Sequence, residues 1–492
     1  MKPIGWLLLT AVLCATLGCA MPAVAPTAAP IALTTPAAPT SVTAPTSLTA
    51  PTSVTAPTSL TAPTSLTATS TPALLTLEPA ALALTRQRLT SGDVALQAPF
   101  AALRRRADQA LLTAPRSVTH KTSTPPSGSK HDYMSMGPYW WPDPATPRGL
   151  PYVQRDGQRN PQATGNALDS HRLQGMLADV RDLALAHHFT GDIRYARKTA
   201  AVIRTWFLDP ATRMNPSLRF GQSIPGIADG RGIGIIDTRD LWLVIDAVAL
   251  IAPGLAAPSQ THAAGDSALT NAELQALRQW FADYADWLDT SPLGRDEAAA
   301  KNNHGLFFDV QLAAYWLFAG ETEKARKLVF EAQTRRFAAQ IDNQGRMPLE
   351  LARTRPFHYQ TFTLEAATRL ARYGQVLAAL PHPAGPWPAT DPRYLTPQPQ
   401  PQQHAGCPLD LWRAVIDGKS LRAALDFVAT AVVAPAAWSF ATALEPTPPL
   451  VPALPVLLIA QRVYPPRSFS AALAVLKNMA PDHVAWLMWP VP

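Results

Sequence analysis

The chain has 492 residues, a formal net charge of +7, 50 prolines, 25 glycines and 3 cysteines, with 47% hydrophobic and 16% charged residues. That size and apolar content exclude a small disulfide scaffold, a collagen-like chain and a wholly disordered protein. The charges are unevenly spread: after Lys2 none occurs before Glu78, and such a stretch reads as targeting plus linker rather than as fold.

Lys2 gives a short positive start, and residues 4–17 form an apolar run too short for a comfortable membrane span. Residues 1–20 are therefore expected to be an export signal. Cleavage after Ala20 or Ala25 releases a soluble periplasmic protein. Alternatively, Leu17-Gly18-Cys19 resembles a bacterial lipobox, and a lipidated Cys19 attaches the protein to the outer membrane. Residues 21–77 are expected to be a tether. The hexapeptide Ala-Pro-Thr-Ser-Val/Leu-Thr runs five times through residues 38–67, and regular Pro with Thr and Ser favours extended chain that buries no core. Cys14 and Cys19 belong to the signal, so Cys407 has no intramolecular partner for a disulfide.

From residue 78 the pattern is helical. Leu82 and Leu89 lie seven apart, and Phe100, Leu103, Ala107 and Leu111 recur at three- and four-residue steps. Amphipathic stretches follow at 167–189, 193–207, 238–251, 271–288, 306–318, 321–340, 362–380, 409–416, 420–433 and 451–463. None sustains the alternation of a sheet. Residues 381–404, rich in Pro and Gln, read as a long surface loop. Residues 78–492 are thus expected to be a single all-α domain, with helix pairs wound around a core and their loops gathered at one end, where sites tend to lie.

Three loop segments carry unusual chemistry. The first runs from Lys130-His131-Asp132-Tyr133 through Tyr139-Trp140-Trp141-Pro142-Asp143-Pro144 to Arg155-Asp156-Gly157. Aromatic faces pack on pyranose rings and Arg takes carboxylates bidentately, which suits a sugar cleft. A loop that packs its own aromatics onto the core has the same composition. The second is Lys301-Asn302-Asn303-His304-Gly305 before an apolar run, either a helix cap or part of a site. The third is Glu350-Leu351-Ala352-Arg353-Thr354-Arg355 with His358-Tyr359, either a surface cluster or a carboxylate binder with a proton carrier. Gly230-Arg231-Gly232-Ile233-Gly234 lacks the spacing and strand–helix context of a nucleotide loop.

Five blocks in order resemble the bacterial alginate lyase family, the mannuronate lyases and their broader relatives: SGSKHDYMSMGPYWWPDP, GLPYVQRDGQRNPQ, TWFLDPATRMNPSLRFGQSIPG, KNNHGLFFDVQ and GRMPLELARTRPFHYQTF. The resemblance spans roughly residues 82–464. It implies an incomplete α/α toroid and β-elimination at a uronate, with no cofactor or metal. The Arg353–Tyr359 spacing and the YWWPDP and PYVQRDG blocks resemble the broader branch more than the mannuronate lyases. By matching positions, Asn303 is expected to hold the uronate carboxylate, and His304 to neutralise it or act as base. Arg353 is expected to contact carboxylate, and Tyr359 to donate a proton to O4. If Tyr359 also served as base it would need a lowered pKa, for which Arg353, Arg355 and His304 are the candidate positive charges. His358 competes with Tyr359 as proton carrier. Tyr139, Trp140, Trp141, Arg155, Gln222, Arg231, Arg355 and His358 are expected to bind substrate.

The chemistry has physical demands of its own. H5 is weakly acidic because the adjacent carboxylate is already negative, so donors must stabilise the enolate-like charge, a base must take H5 and an acid must protonate the departing O4. The expected partner is an acidic polysaccharide rather than nucleic acid, because the basic residues are dispersed, and a monomer is expected. Two alternatives stand beside the lyase: a glycoside hydrolase using Asp309 and Glu350 as opposed carboxylates, and a non-catalytic glycan-binding envelope protein.

Overall fold

The computed structural model describes residues 73–252, 268–381 and 407–491. These belong to one compact unit, 65–492. The expected signal, nearly all of the tether and residues 382–404 of the expected long loop lie outside the described residues.

Apolar recurrence at helical spacing becomes helices α1 (Pro79–Thr90), α2 (Val94–Leu112), α3 (Ser170–Thr190), α4 (Ile193–Ile203), α5 (Trp242–Ile251), α6 (Asn271–Thr290), α7 (Pro292–Ala299) and α8 (Asn303–Ala319). The series continues with α9 (Thr322–Ala332), α10 (Pro348–Leu351), α11 (Pro356–Ala379), α12 (Leu421–Val433), α13 (Ala453–Val463), α14 (Ser470–Met479) and α15 (Ala485–Met488). Their starts are fixed by side chains that satisfy free amide groups. Asp93, Asp192, Ser291, Asn302 and Ser420 each cap a helix, and Thr270 with Glu273 forms a reciprocal capping box. Gly191 and Gly320 end α3 and α8 in left-handed backbone.

The helices pack as an α/α toroid. Helix α3 lies against α2, α4 and α5, while α8 lies against α6, α9 and α11, and α11 continues the ring to α12 and α13. Helix α8 is buried from Leu306 to Tyr315 without a break, as expected of a helix surrounded by others. Trp206, Phe207, Phe281, Tyr284 and Tyr315 pack the centre. Truncating an aliphatic side chain buried this fully, such as Leu312, costs roughly 2–5 kcal/mol. Among the described residues no helix is long and apolar enough to cross a membrane.

Several expectations are corrected. The packed chain begins ahead of residue 78: Leu74, Leu75 and Leu77 are buried. Asp246 on α5 accepts the Leu75 amide at 2.7 Å, the Thr76 amide at 3.1 Å and the Leu77 amide at 2.7 Å. Residues 409–416 are turns leading into strand β5 (Val415–Ile416), paired with β6 (Lys419–Ser420), and not a helix; a short apolar run carries no decisive period. The stretches 193–207 and 321–340 each end in a π-helical turn, Arg204–Leu208 and Gln333–Ala338. Helices α7, α10, α14 and α15 were not expected. Cys407 is exposed.

Two further small sheets position the site. Strand β1 (Met134–Met136) runs parallel to β4 (Phe220–Ser223). Strands β2 (Trp140–Trp141) and β3 (Val153–Gln154) pair antiparallel, Trp140 with Gln154 and Trp141 with Val153. The first loop segment is therefore ordered: β1 pairs with β4, and residues 140–154 form a hairpin.

Candidate active site

A cavity of about 610 Å³ opens between that hairpin, the turn Gly232–Thr238 and the starts of α8 and α11. It brings together Asn303, His304, Arg353 and Tyr359 with Tyr139, Trp140, Gln222, Arg231 and His358. Trp141, Arg155 and Arg355 are not in its lining. Trp141 donates Nε1–H to the Gln158 carbonyl at 2.9 Å, and the Arg155 guanidinium sits 5.3 Å from its ring centre. Adjacent residues on a strand face opposite sides, so Trp140 and Trp141 cannot both face the cavity. Arg355 is exposed ahead of α11.

The Asn-His-Gly motif opens α8. Asn302 caps the helix, Asn303 and His304 form its first turn, and a Cβ on Gly305 would overlap the Ala300 carbonyl and the Arg336 guanidinium. The motif thus joins a site to a packing requirement. Gly234 fits against the Gly221 backbone in the same way, so the Gly-Arg-Gly-Ile-Gly run packs a turn on β4 rather than cradling phosphate.

Glu350 holds Asn303. It accepts the Asn303 backbone amide at 2.6 Å and the side-chain amide at 2.9 and 3.1 Å. Burial pushes the Glu350 carboxyl above the usual range, against these hydrogen bonds. Glu297 holds His304: its Oε1 lies 2.8 Å from Nδ1, and burial pushes Glu297 upward while His304 opposes the shift. Asp309 is fully buried in an ion pair with Arg336 at 2.8 Å and with Arg335 at 2.9 Å. The two carboxylates required by the hydrolase alternative are therefore both committed, and neither lines the cavity.

Tyr359 lies in the first turn of α11, not in a loop, because the expected third segment is broken into α10, a turn and α11. Its hydroxyl accepts from Arg353 Nη2 at 2.8 Å and donates to the Tyr139 hydroxyl at 2.9 Å. Arg353 also reaches Asp156, with Nη2 at 2.7 Å from Oδ1 and Nε at 3.3 Å from Oδ2. Thr354 Oγ1 donates to the same carboxylate at 2.9 Å. Burial works against ionised Asp156, but Arg353 holds its carboxyl below the ordinary range. The lowered pKa that Tyr359 would need as a base is not found: burial and the Tyr139 hydroxyl push the phenol up, and Arg353 does not reverse them. His358 stacks on Phe362, and burial followed by the charges of Arg355, Arg239, Arg159 and Arg353 pushes its pKa down.

Behind Gln222 stands Asp237, which accepts from Gln222 Nε2 at 3.0 Å, Ser135 Oγ at 2.5 Å and the Tyr133 hydroxyl at 3.1 Å. Gln222 itself has φ +47°, a left-handed conformation costly for a side chain of this kind and typical of constrained sites. Arg231 donates to the Gln222 carbonyl at 2.8 Å and lies 5.7 Å from the Trp140 ring centre. Arg159, Arg239, Asp156, Asp237, Glu297 and Asn302 were not selected from sequence. Asp156, Arg159 and Asn302 had a signal, since each stands in a motif singled out above, Asp156 and Arg159 in GLPYVQRDGQRNPQ and Asn302 in Asn-Asn-His-Gly. Among the described residues no group of three or more His, Cys, Asp and Glu side chains converges as a metal site.

A family model described as alginate lyase matches residues 117–378. An alginate lyase from Bacteroides ovatus, known from its crystal structure, is 33% identical, covers 85% of this chain and 99% of its own, and superposes with a TM-score of 0.70. The chain belongs to the alginate lyase family. As a member of that family it is a polysaccharide lyase, which sets aside the hydrolase and the non-catalytic binder. Alginate lyase A1-III from Sphingomonas species A1 is 15% identical, with 85% of this chain and 98% of that one covered and a TM-score of 0.49. Comparison with curated proteins gives no match. All four residues carried over from the family motifs, Asn303, His304, Arg353 and Tyr359, line the one cavity.

Proposed function

We propose that this lyase cleaves alginate or a related polyuronate by β-elimination, leaving 4,5-unsaturated uronate ends. The observation that carries the reading is that a buried phenol and an imidazole held by a buried carboxylate line one cavity rich in arginine. Tyr359 is kept protonated by burial and is the acid for O4. His304, with Nδ1 engaged by Glu297, has Nε2 left to take H5. The C5–H electron pair becomes the C4–C5 double bond, the C4–O4 bond breaks, and O4 receives the Tyr359 proton. Solvent exchange then returns a proton to Tyr359 and removes one from His304, so the net change is a proton moved from C5 to O4. Asn303, anchored by Glu350, and Arg353, whose Nη1 has no hydrogen bond to the described residues, hold the uronate carboxylate and stabilise the charge built there.

The cavity lining supports a polyanion. It has four arginines, Arg159, Arg231, Arg239 and Arg353, and two histidines, against two aspartates, Asp156 and Asp237. Tyr139 and Trp140 offer ring faces beside these charges, as pyranose binding requires. The test is direct: purified protein is incubated with alginate, polymannuronate, polyguluronate and other polyuronates while the ultraviolet absorbance of unsaturated ends is followed. Reducing ends without that absorbance would overturn the reading.

The proposal extends to location and assembly. The monomeric protein is exported to the periplasm, with lipid on Cys19 as the route to the outer membrane. Fatty-acid labelling that is lost in Cys19→Ser distinguishes the lipoprotein from the soluble form.

A further inference from the structure

Helix α7 ends at Ala299 and α8 begins at Asn303, so Glu297 in the last turn of one helix faces His304 in the first turn of the next. The Glu297 side chain has no solvent exposure, and that of His304 is 17% exposed, at the cavity. Oε1 of Glu297 lies 2.8 Å from Nδ1 of His304, while Oε2 has no hydrogen-bond partner among the described residues. No cation other than His304 forms an ion pair with this carboxylate among the described residues. A carboxylate and a bare imidazole nitrogen at this distance would place two lone pairs against each other. The neutral ring facing a carboxylate must therefore carry its proton on Nδ1, and its Nε2 is the basic atom.

We propose that Glu297 is a positioning residue of the elimination: it fixes His304 as the Nδ1–H tautomer, aims Nε2 into the cavity and stabilises the imidazolium once Nε2 has taken the proton. The inference rests on the reading of His304 as the base given above, and it adds the residue that makes such a base work. The arrangement has the same logic as any imidazole base oriented by a buried acid. The groups around the pair are few. Asp296 lies on the same helix, Asp237 and Arg231 approach from the turn Gly232–Thr238 and the residue before it, Tyr284 approaches from α6, and Glu350 lies near His304. Glu297 is the group among them in hydrogen-bond contact with the ring.

The test uses the full protein with nitrogen-15-labelled histidine, the His304 resonances being assigned by their loss in His304→Gln. In the wild type, above the acid limb of the activity profile, His304 is expected as the Nδ1–H tautomer. A wild-type ring found with its proton on Nε2 overturns the proposal without any variant. Glu297→Gln is expected to give a mixture of tautomers, to lower kcat by between about 10²- and 10⁴-fold with KM changed much less, and to move the acid limb of kcat/KM to lower pH, because the imidazolium loses its anionic partner. Glu297→Asp, which keeps the charge, is expected to recover part of kcat and the position of the limb. Loss of activity in Glu297→Gln with tautomer and acid limb unchanged makes Glu297 a packing residue and overturns the proposal. A changed tautomer with wild-type kcat supports the pairing and instead overturns His304 as the base.

Discussion

The guanidinium of Arg353 lies 3.9 Å from the ring centre of Tyr359 and also donates to that residue's hydroxyl at 2.8 Å. One cation thus touches Tyr359, the proposed proton donor, from its face and at its oxygen, and the Tyr139 hydroxyl lies 2.9 Å from that oxygen. The phenol is fixed in direction before substrate arrives. Removing it tests the acid role: Tyr359→Phe is expected to lower kcat by about 10²- to 10⁴-fold with little change in thermal stability, and Arg353→Ala by about 10²- to 10³-fold. Steady-state rates from the unsaturated-end absorbance decide it, and a Tyr359→Phe enzyme with wild-type kcat would falsify the acid assignment.

The direction of the Tyr359 shift gives a pH prediction. A phenol whose pKa is raised keeps its proton at every pH below that raised value, so the acid is fully present at neutral pH and is lost only as pH climbs past the ordinary tyrosine value of about 10. No alkaline fall in kcat from this residue is expected below that point. The check is a difference titration of tyrosinate absorbance between wild type and Tyr359→Phe. A tyrosinate present in the wild type near neutral pH and missing in the variant would make Tyr359 a base rather than an acid.

Asp156 ties the β2–β3 hairpin to the helical wall through Arg353 and Thr354. The Arg353–Asp156 pair is about a quarter exposed on each side, so its direct worth is on the order of 1 kcal/mol after screening. Its larger effect is positional, since a 1 Å displacement at a site can cost about 10²-fold. Asp156→Asn is expected to leave the melting temperature within a few degrees of wild type, to speed proteolysis between residues 139 and 160, and to reduce kcat/KM at least tenfold. Unchanged proteolysis and kinetics together would show that the hairpin is held by its other contacts.

Much of this molecule was readable from sequence, for identifiable reasons. Long amphipathic stretches such as 271–288 became helices because apolar recurrence at helical spacing needs burial on one side. Asn303, His304, Arg353 and Tyr359 were readable because each stands in a short ordered block. Trp141 and Arg155 fall outside the cavity lining and contact each other, and composition does not say which of two adjacent strand residues faces the cavity. Asp237 and Glu297 act from neighbouring elements through contacts that only the packed chain creates: Glu297 reaches His304 across the break between α7 and α8, and Asp237 supports Gln222 from the following turn. The sign of the Tyr359 shift was likewise hidden, because nearby positive charges are visible in a sequence and the burial that outweighs them is not.

Arg159 is the cavity guanidinium with the fewest commitments. Arg353 is held by Asp156 and Tyr359, Arg231 by the Gln222 carbonyl, and Arg239 by the Ile236 carbonyl at 3.3 Å and Asp240 at 3.5 Å. Arg159 lines the same cavity, is exposed, and pairs with no carboxylate among the described residues. If the cavity takes a polyuronate as proposed, an exposed cation in its lining attracts carboxylates of sugars next to the one being cleaved. Arg159→Ala is therefore expected to raise KM for polymer by roughly tenfold, the size of one charge-assisted contact of about 1.5 kcal/mol, with kcat and melting temperature unchanged. Because the contact is exposed, the difference should shrink as salt is added, and it should be smaller on the shortest oligomers that are still cleaved. Equal KM values for variant and wild type on long polymer at low salt would mean that Arg159 faces solvent and not substrate.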